Sequence, residues 1–202
     1  MDVMVDEATE DITKMAAMSP SEKSYFETSV LAHAKHRIAW LLILMFSATI
    51  TGTIITRYEN AFAAIPLLVS FIPMLMDTGG NCGSQSSTLI IRGIALGEIQ
   101  FSDLFRVMFK EFRVSLIVGV ALALANGIRI LIMYKNAGLA LVIGLSLVAT
   151  IVISKLIGCA LPLIAKKLHM DPAIMASPLI TTLVDTCSIL IYFNIATQVF
   201  QL

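Results

Sequence analysis

Residues 71–91 read FIPMLMDTGGNCGSQSSTLII, a run long enough to cross a bilayer yet unable to face lipid through its middle. Asp77, Asn81, Gln85, three glycines and five hydroxyl residues interrupt it. An unsatisfied polar group in hydrocarbon costs roughly several kcal/mol, so these residues must face other protein or a water-filled path. A chain carrying such a run folds by enclosing it.

Composition settles the solvent. Of 202 residues, 57% are hydrophobic and 14% charged, with a mean hydropathy of +0.87. Soluble domains are about a quarter charged, so a water-soluble bundle is excluded and an all-α integral membrane protein is expected. Cys82, Cys159 and Cys187 lie in apolar segments without CxxC spacing and read as small packing residues. The opening MDVMVDEATED is acidic, unlike a secretory signal, so the first membrane helix is expected to direct insertion.

Three regions follow from the pattern. Residues 1–18 read as an acidic mobile tail, and residues 19–37 as an interfacial amphipathic helix capped at Ser19. Residues 38–202 read as a five-helix transmembrane domain. Its spans are expected at about 38–56, 62–91, 112–133, 137–165 and 174–200, the second broken by Pro66, Pro73 and the glycines. The segment 97–113 places Phe101, Leu104, Phe105, Met108 and Phe112 at helical spacing and reads as an interfacial helix continuing into the third span. Lysines and arginines concentrate before the first span and in the 92–113 and 166–173 connections. The positive-inside rule therefore predicts a cytoplasmic N-terminus and an extracellular C-terminus.

In the fifth span, Ser177, Thr181, Asp185 and Ser188 recur at spacings of four, four and three, which places them on one helical face. Pro178 is expected to free the carbonyl of Ile174 beside that face. Carboxylate, hydroxyl and carbonyl oxygens suit a hard cation, whereas zinc or copper would call for histidines or thiolates. Asp185, a charge at membrane depth, reads either as a functional group or as an ion-pair partner of Lys155 or Arg129. Those two cations have a second reading, snorkelling to the interface. The second span repeats the pattern with Asp77, Asn81, Gln85 and Thr88. Gly79 and Gly83, with Gly80, Ser84 and Ser87 beside them, favour close helix packing, and Asn81 suits a pore lining and an interhelical hydrogen bond equally. His33 and His36 belong to a basic juxtamembrane cluster, and His169 to a loop.

RIAWLL (37–42), FIPMLMDTGGNCGSQSSTLIIRGIALGEI (71–99) and LPLIAKKLHMDPAIMASPLITTLVD (161–185) together resemble the membrane domain of the MgtE family of magnesium channels. The resemblance implies a homodimer in the cell membrane, with one ion path at the subunit interface lined by the second and fifth helices. It carries that family's pore aspartate onto Asp185 and its second-span asparagine onto Asn81. Family members usually bear a large cytoplasmic N-terminal domain and paired CBS domains; only the short acidic tail precedes the first span here, and Cys82 stands where a small residue such as Ala is more usual. The expected function is passive inward Mg²⁺ transport, with Asp185, Asn81, Thr181, Ser177 and Asp77 contacting a largely hydrated ion. Partners are a second copy, the lipid bilayer and Mg²⁺, with no nucleic acid. A carrier coupled to H⁺ or Na⁺ through Asp185 is the alternative. An intramembrane aspartyl protease is a remote one, since LMDTG and LVDTC lack the YD and GxGD contexts of that class, and no enzyme activity is expected.

Overall fold

The computed structural model describes residues 10, 12–16, 18, 25–175 and 177–201, and their side chains except those of Phe62, Met175 and Ser177. Five long helices carry the fold: α1 (Val30–Arg57), α2 (Ile72–Ala95), α3 (Leu104–Tyr134), α4 (Ala137–Lys167) and α5 (Ser177–Phe200). Among the described residues there is no strand. Four of the five (α1, α3, α4 and α5) are long and apolar enough to cross a membrane. The exception is α2. Its 24 residues reach about 36 Å, ample for a bilayer, but its polar middle keeps it below the apolarity of the others.

Local chemistry sets the helix ends. Ser29 caps α1 by accepting from the Ala32 N–H at 3.3 Å, and α1 then runs unbroken through Arg37 into the apolar stretch. No helix boundary falls at 37/38, and the Ser19 cap lies outside the described residues. The 62–91 stretch divides into a short helix (Glu59–Ala64), a 3₁₀ turn (Pro66–Phe71) and α2, with Pro73 in the first turn, where no intrahelical donor is lost. Gly97, at φ 70°, ends α2 in the left-handed conformation that glycine adopts without penalty. Gln100 and Asp103 then form a capping box that starts the turn into α3. Of the 97–113 segment, the part from Leu104 onward is continuous with the third span, as the spacing predicts, whereas Phe101–Asp103 form a separate 3₁₀ turn before it. Between α3 and α4 stand only Lys135 and Asn136, whose side chain caps α4 through the Leu139 N–H at 2.9 Å, so the two helices run antiparallel.

The freed carbonyl expected at Ile174 does not arise. Because α5 starts at Ser177, Pro178 sits in the first turn, where its missing N–H would have had no partner.

The most enclosed helix is α4, packed against α2, α3 and α5. At one end of the bundle Leu68, Phe71, Leu75, Ile143, Leu147, Tyr192 and Phe193 form the larger core, where the Tyr192 hydroxyl donates to the Leu68 carbonyl at 2.8 Å. A smaller cluster of Ile90, Cys159 and Leu163 closes the other end. Packing of α1 is chiefly on α5, through the Thr51–Thr186 hydroxyl pair at 2.8 Å, and Leu41, Met45, Phe46 and Ile50 are left exposed.

Before α1, Lys14 donates to Asp171 at 2.6 Å and pairs with Glu10 at 2.5 Å. Partial burial works against the Asp171 carboxylate, but hydrogen bonds from Lys14 and the Ala173 N–H outweigh it and hold the acid below its ordinary range. A depressed acid stabilises the contact above its unperturbed pKa, and the stabilisation disappears as pH falls through the lowered value. Amide exchange of residues 12–16, corrected for intrinsic rates, is expected to accelerate on acidification. Asp171→Asn should produce the same acceleration at neutral pH, and equal protection in both proteins would refute the contribution of the contact.

Candidate functional site

Glycines let α2 wedge between α4 and α5. A Cβ placed on Gly158 of α4 would collide with the Gly83 carbonyl oxygen, so the two backbones touch. A Cβ on Gly83 would come within 2.6 Å of Ile180 Cγ2, and one on Gly79 within 2.8 Å of both Thr150 Cγ2 and Val184 Cγ1. At Gly80 the obstacle is Thr181 Cγ2, again at 2.8 Å. These distances lie below ordinary van der Waals contact, and the small residues serve close packing as their spacing predicts.

The same contacts define the register of α2 against α5. Gly80 faces Thr181, Gly79 faces Val184 and Gly83 faces Ile180, an antiparallel order. Asn81 thereby stands level with Thr181 and Asp77 level with Asp185, and the two aspartates are within electrostatic reach of each other. Asp77, Asn81, Gln85 and Thr88 are all exposed on one side of α2. Asn81, Ser84, Gln85, Thr88 and Leu89 line an open groove of about 620 Å³.

Among the described residues, the side chains of Asp77, Asn81, Gln85 and Asp185 accept or donate no hydrogen bond and form no ion pair. Asp185 is half-buried beside this open face. Thr181 turns its methyl toward Gly80 and donates its hydroxyl to the Pro178 carbonyl at 2.9 Å, leaving the oxygen's acceptor capacity. Ser188 departs from the expected face: it is buried behind Gly79 and donates to the Val184 carbonyl at 2.7 Å. The Ser177 side chain lies outside the described part. Within one copy, the described residues hold no group of three or more His, Cys, Asp and Glu side chains placed to cage a metal.

Lys155 satisfies neither sequence reading. It does not reach an interface and does not pair with Asp185. Its ammonium is buried, 3.6 Å from Glu111 of α3 and 3.2 Å from the Ser86 hydroxyl of α2, and Ser86 in turn donates to Glu111 at 2.6 Å. Nothing in the sequence marks Glu111 as buried, since it stands in KEFR, at a charge-rich junction where carboxylates are ordinarily solvated. Continuation of α3 through that junction is what carries it inside. Arg129 is exposed, donates to Asn126 Oδ1 at 2.9 Å and lies 5.9 Å from the Phe71 ring centroid.

A family model described as a divalent cation transporter, MgtE, matches residues 72–195, from α2 through most of α5. Three curated proteins named magnesium transporter MgtE are similar over nearly the whole chain. The Bacillus subtilis protein is 39% identical across 98% of this chain, that of Thermus thermophilus 36% across 97%, and that of Enterococcus faecalis 34% across 98%. The chain belongs to the MgtE family. It spans 43% of the length of each of these relatives. The MgtE match contains Asp77, Asn81, Thr181 and Asp185 together, and membership with four span-capable helices makes this a multi-pass membrane protein.

Proposed function

We propose that this chain forms the ion path of a Mg²⁺ channel, working as a homodimer in the cell membrane with α2 as a fifth span. The observation that carries the reading is the row Asp77, Asn81, Gln85, exposed and unpartnered on the side of α2 beside Asp185. Lipid cannot cover that row at acceptable cost. A second copy with water between the two faces can, and the path then runs along their interface. The basic connections support an N-terminus in the cytoplasm and a C-terminus outside, by the positive-inside rule.

Mg²⁺ demands octahedral geometry and gives up water reluctantly, so a path that holds it through its water shell avoids most of the dehydration cost. The two Asp185 carboxylates supply the charge that concentrates the ion, while Asn81, Thr181 and Ser177 offer hydrogen-bonding atoms to its waters. Binding through water is weak enough to allow release. A membrane potential of 100 mV drives a divalent ion inward with about 4.6 kcal/mol.

Asp77 stands level with Asp185 but is the more exposed, hence the better hydrated and screened of the two. Asp77→Asn is therefore expected to reduce uptake less than Asp185→Asn does, as read by initial Mg²⁺ influx at matched protein amount. The reverse order would make Asp77 the principal charge.

The deciding experiment uses proteoliposomes containing the purified chain and an internal Mg²⁺-sensitive dye. The expected result is Mg²⁺ influx that follows voltage and ignores an imposed pH or Na⁺ gradient. Influx that requires either gradient would establish the coupled carrier instead. Glu111 offers no relay partner to Asp185 for such coupling, since it is engaged by Lys155 and Ser86. Two membrane aspartates at one level also meet a requirement of an intramembrane protease, but the chain belongs to a transporter family and is not an enzyme.

A further inference from the structure

The middle of the α2–α4 contact is made by small residues: Gly79 and Gly83 on one side, Thr150, Ser154 and Gly158 on the other. Apolar side chains pack at both ends of the contact, Leu75 with Ile143 and Leu147 and Ile90 with Cys159 and Leu163, but along this small-residue middle few projections fix the rotation of α2 about its axis. Ser86, three residues after Gly83 and beside Gln85, is where directional bonds enter. Its hydroxyl donates to Glu111 Oε2 at 2.6 Å and accepts from Lys155 Nζ at 3.2 Å, so its donor and an acceptor site are both engaged. Lys155 Nζ lies 3.6 Å from Glu111 Oε2, and all three residues are buried. Three helices thus meet at one hydroxyl.

We propose that the Glu111–Ser86–Lys155 triad sets the rotation of α2 and thereby the aim of Asp77, Asn81 and Gln85 into the ion path. It rests on the ion-path reading above. A helix rotated by 20° swings side-chain tips roughly 5 Å from its axis by about 2 Å. A displacement of that size approaches a full Mg²⁺–oxygen distance of about 2.1 Å, enough to break a hydrogen bond to the ion's water shell. An uncharged apolar contact at this place would hold the helices together as firmly without choosing one rotation. Direction is what a hydrogen-bonded charge pair adds. Ser86, Glu111 and Lys155 are positioning residues, on the side of α2 away from the groove.

Two versions of the full chain in lipid vesicles test this: Ser86→Ala, which keeps the ion pair but releases α2, and Glu111→Leu with Lys155→Met, which removes both charges at similar volume. Into each version and the parent, Gln85→Cys or Leu89→Cys is introduced separately, and the modification rate by a membrane-impermeant thiol reagent is measured above the background of the native cysteines. The expected result is a change of about fivefold in the rate ratio of the two positions, the factor that one ordinary hydrogen bond corresponds to. The half-saturating Mg²⁺ concentration of Ser86→Ala should rise while its amount in the membrane matches the parent. A ratio equal to that of the parent overturns the proposal whatever uptake does. If the double variant fails to accumulate, Ser86→Ala alone decides, because it leaves no buried charge unpaired. A parent that moves no Mg²⁺ while the ratio still changes refutes the ion-path reading and leaves the positioning role standing.

Discussion

Asp185→Asn should abolish most Mg²⁺ flux while leaving the helices in place. The side chain is half-buried and unpartnered, so its amide replacement breaks no internal bond, and it keeps nearly the same volume. What it removes is charge, and in a dimer it removes it twice. A hydrogen bond to a charged group contributes about 1.5–3 kcal/mol, and two of them at the lower figure correspond to roughly a hundredfold loss. Influx into proteoliposomes, compared with the parent at equal protein and equal melting midpoint, reads the effect. Flux within a factor of about two of the parent would remove Asp185 from the mechanism.

Gly158→Val is expected to have the largest effect on folding. A Cβ at this position would already meet the carbonyl oxygen of Gly83, and a backbone atom, unlike the end of a flexible side chain, cannot turn aside. The whole of α2 must retreat, and with it the contacts of Gly79 and Gly83 to α4 and α5. Overpacking in well-packed interiors costs about 1–3 kcal/mol and sometimes more; a backbone obstacle puts this site at or beyond the top of that range. Gly52→Ala and Gly127→Ala are the controls, since a Cβ at either position meets nothing within 4 Å. Membrane abundance and detergent melting should fall steeply for Gly158→Val and hardly at all for the controls. A Gly158→Val protein that melts with the parent would show that the α2–α4 contact can relax.

Much of this arrangement is legible in the sequence because a membrane makes polarity expensive. Asp77, Asn81 and Gln85 at four-residue spacing announce a face that lipid cannot touch, and the five long helices end within about four residues of the expected limits, whereas α1, α2 and α3 start eight to ten residues away from theirs. The glycines of α2 are readable for a similar reason, since small residues in a span most often admit another helix. Other features depend on where a helix starts or on what stands opposite, and these escape a one-dimensional reading. Pro178 frees no carbonyl because α5 begins one residue before it. Ser188 shares a periodicity with Asp185, yet a few tens of degrees of helix rotation take it behind Gly79. Lys155 looks unpaired until α3 and α4 are laid antiparallel and Glu111 arrives beside it. No local signal joins residues 44 positions apart on different helices.

The modest apolarity of α2 has a consequence for how the chain is made. If α2 is the fifth span proposed above, a segment that is not apolar enough to prefer lipid on its own needs its neighbours in order to stay in the membrane. Those neighbours come late: about 75 residues separate Gly83 from the glycine of α4 that it touches, and α5 follows later still. At a synthesis rate of about 5–20 residues per second, α2 waits on the order of 4–15 s for α4. Throughout that interval Asp77, Asn81 and Gln85 lack the helices α4 and α5 that flank α2 in the fold. On the proposed reading, the ribosome-bound chain is thus most vulnerable to misinsertion in the helix assigned to the ion path, and a factor that shelters polar membrane segments during translation would act there first.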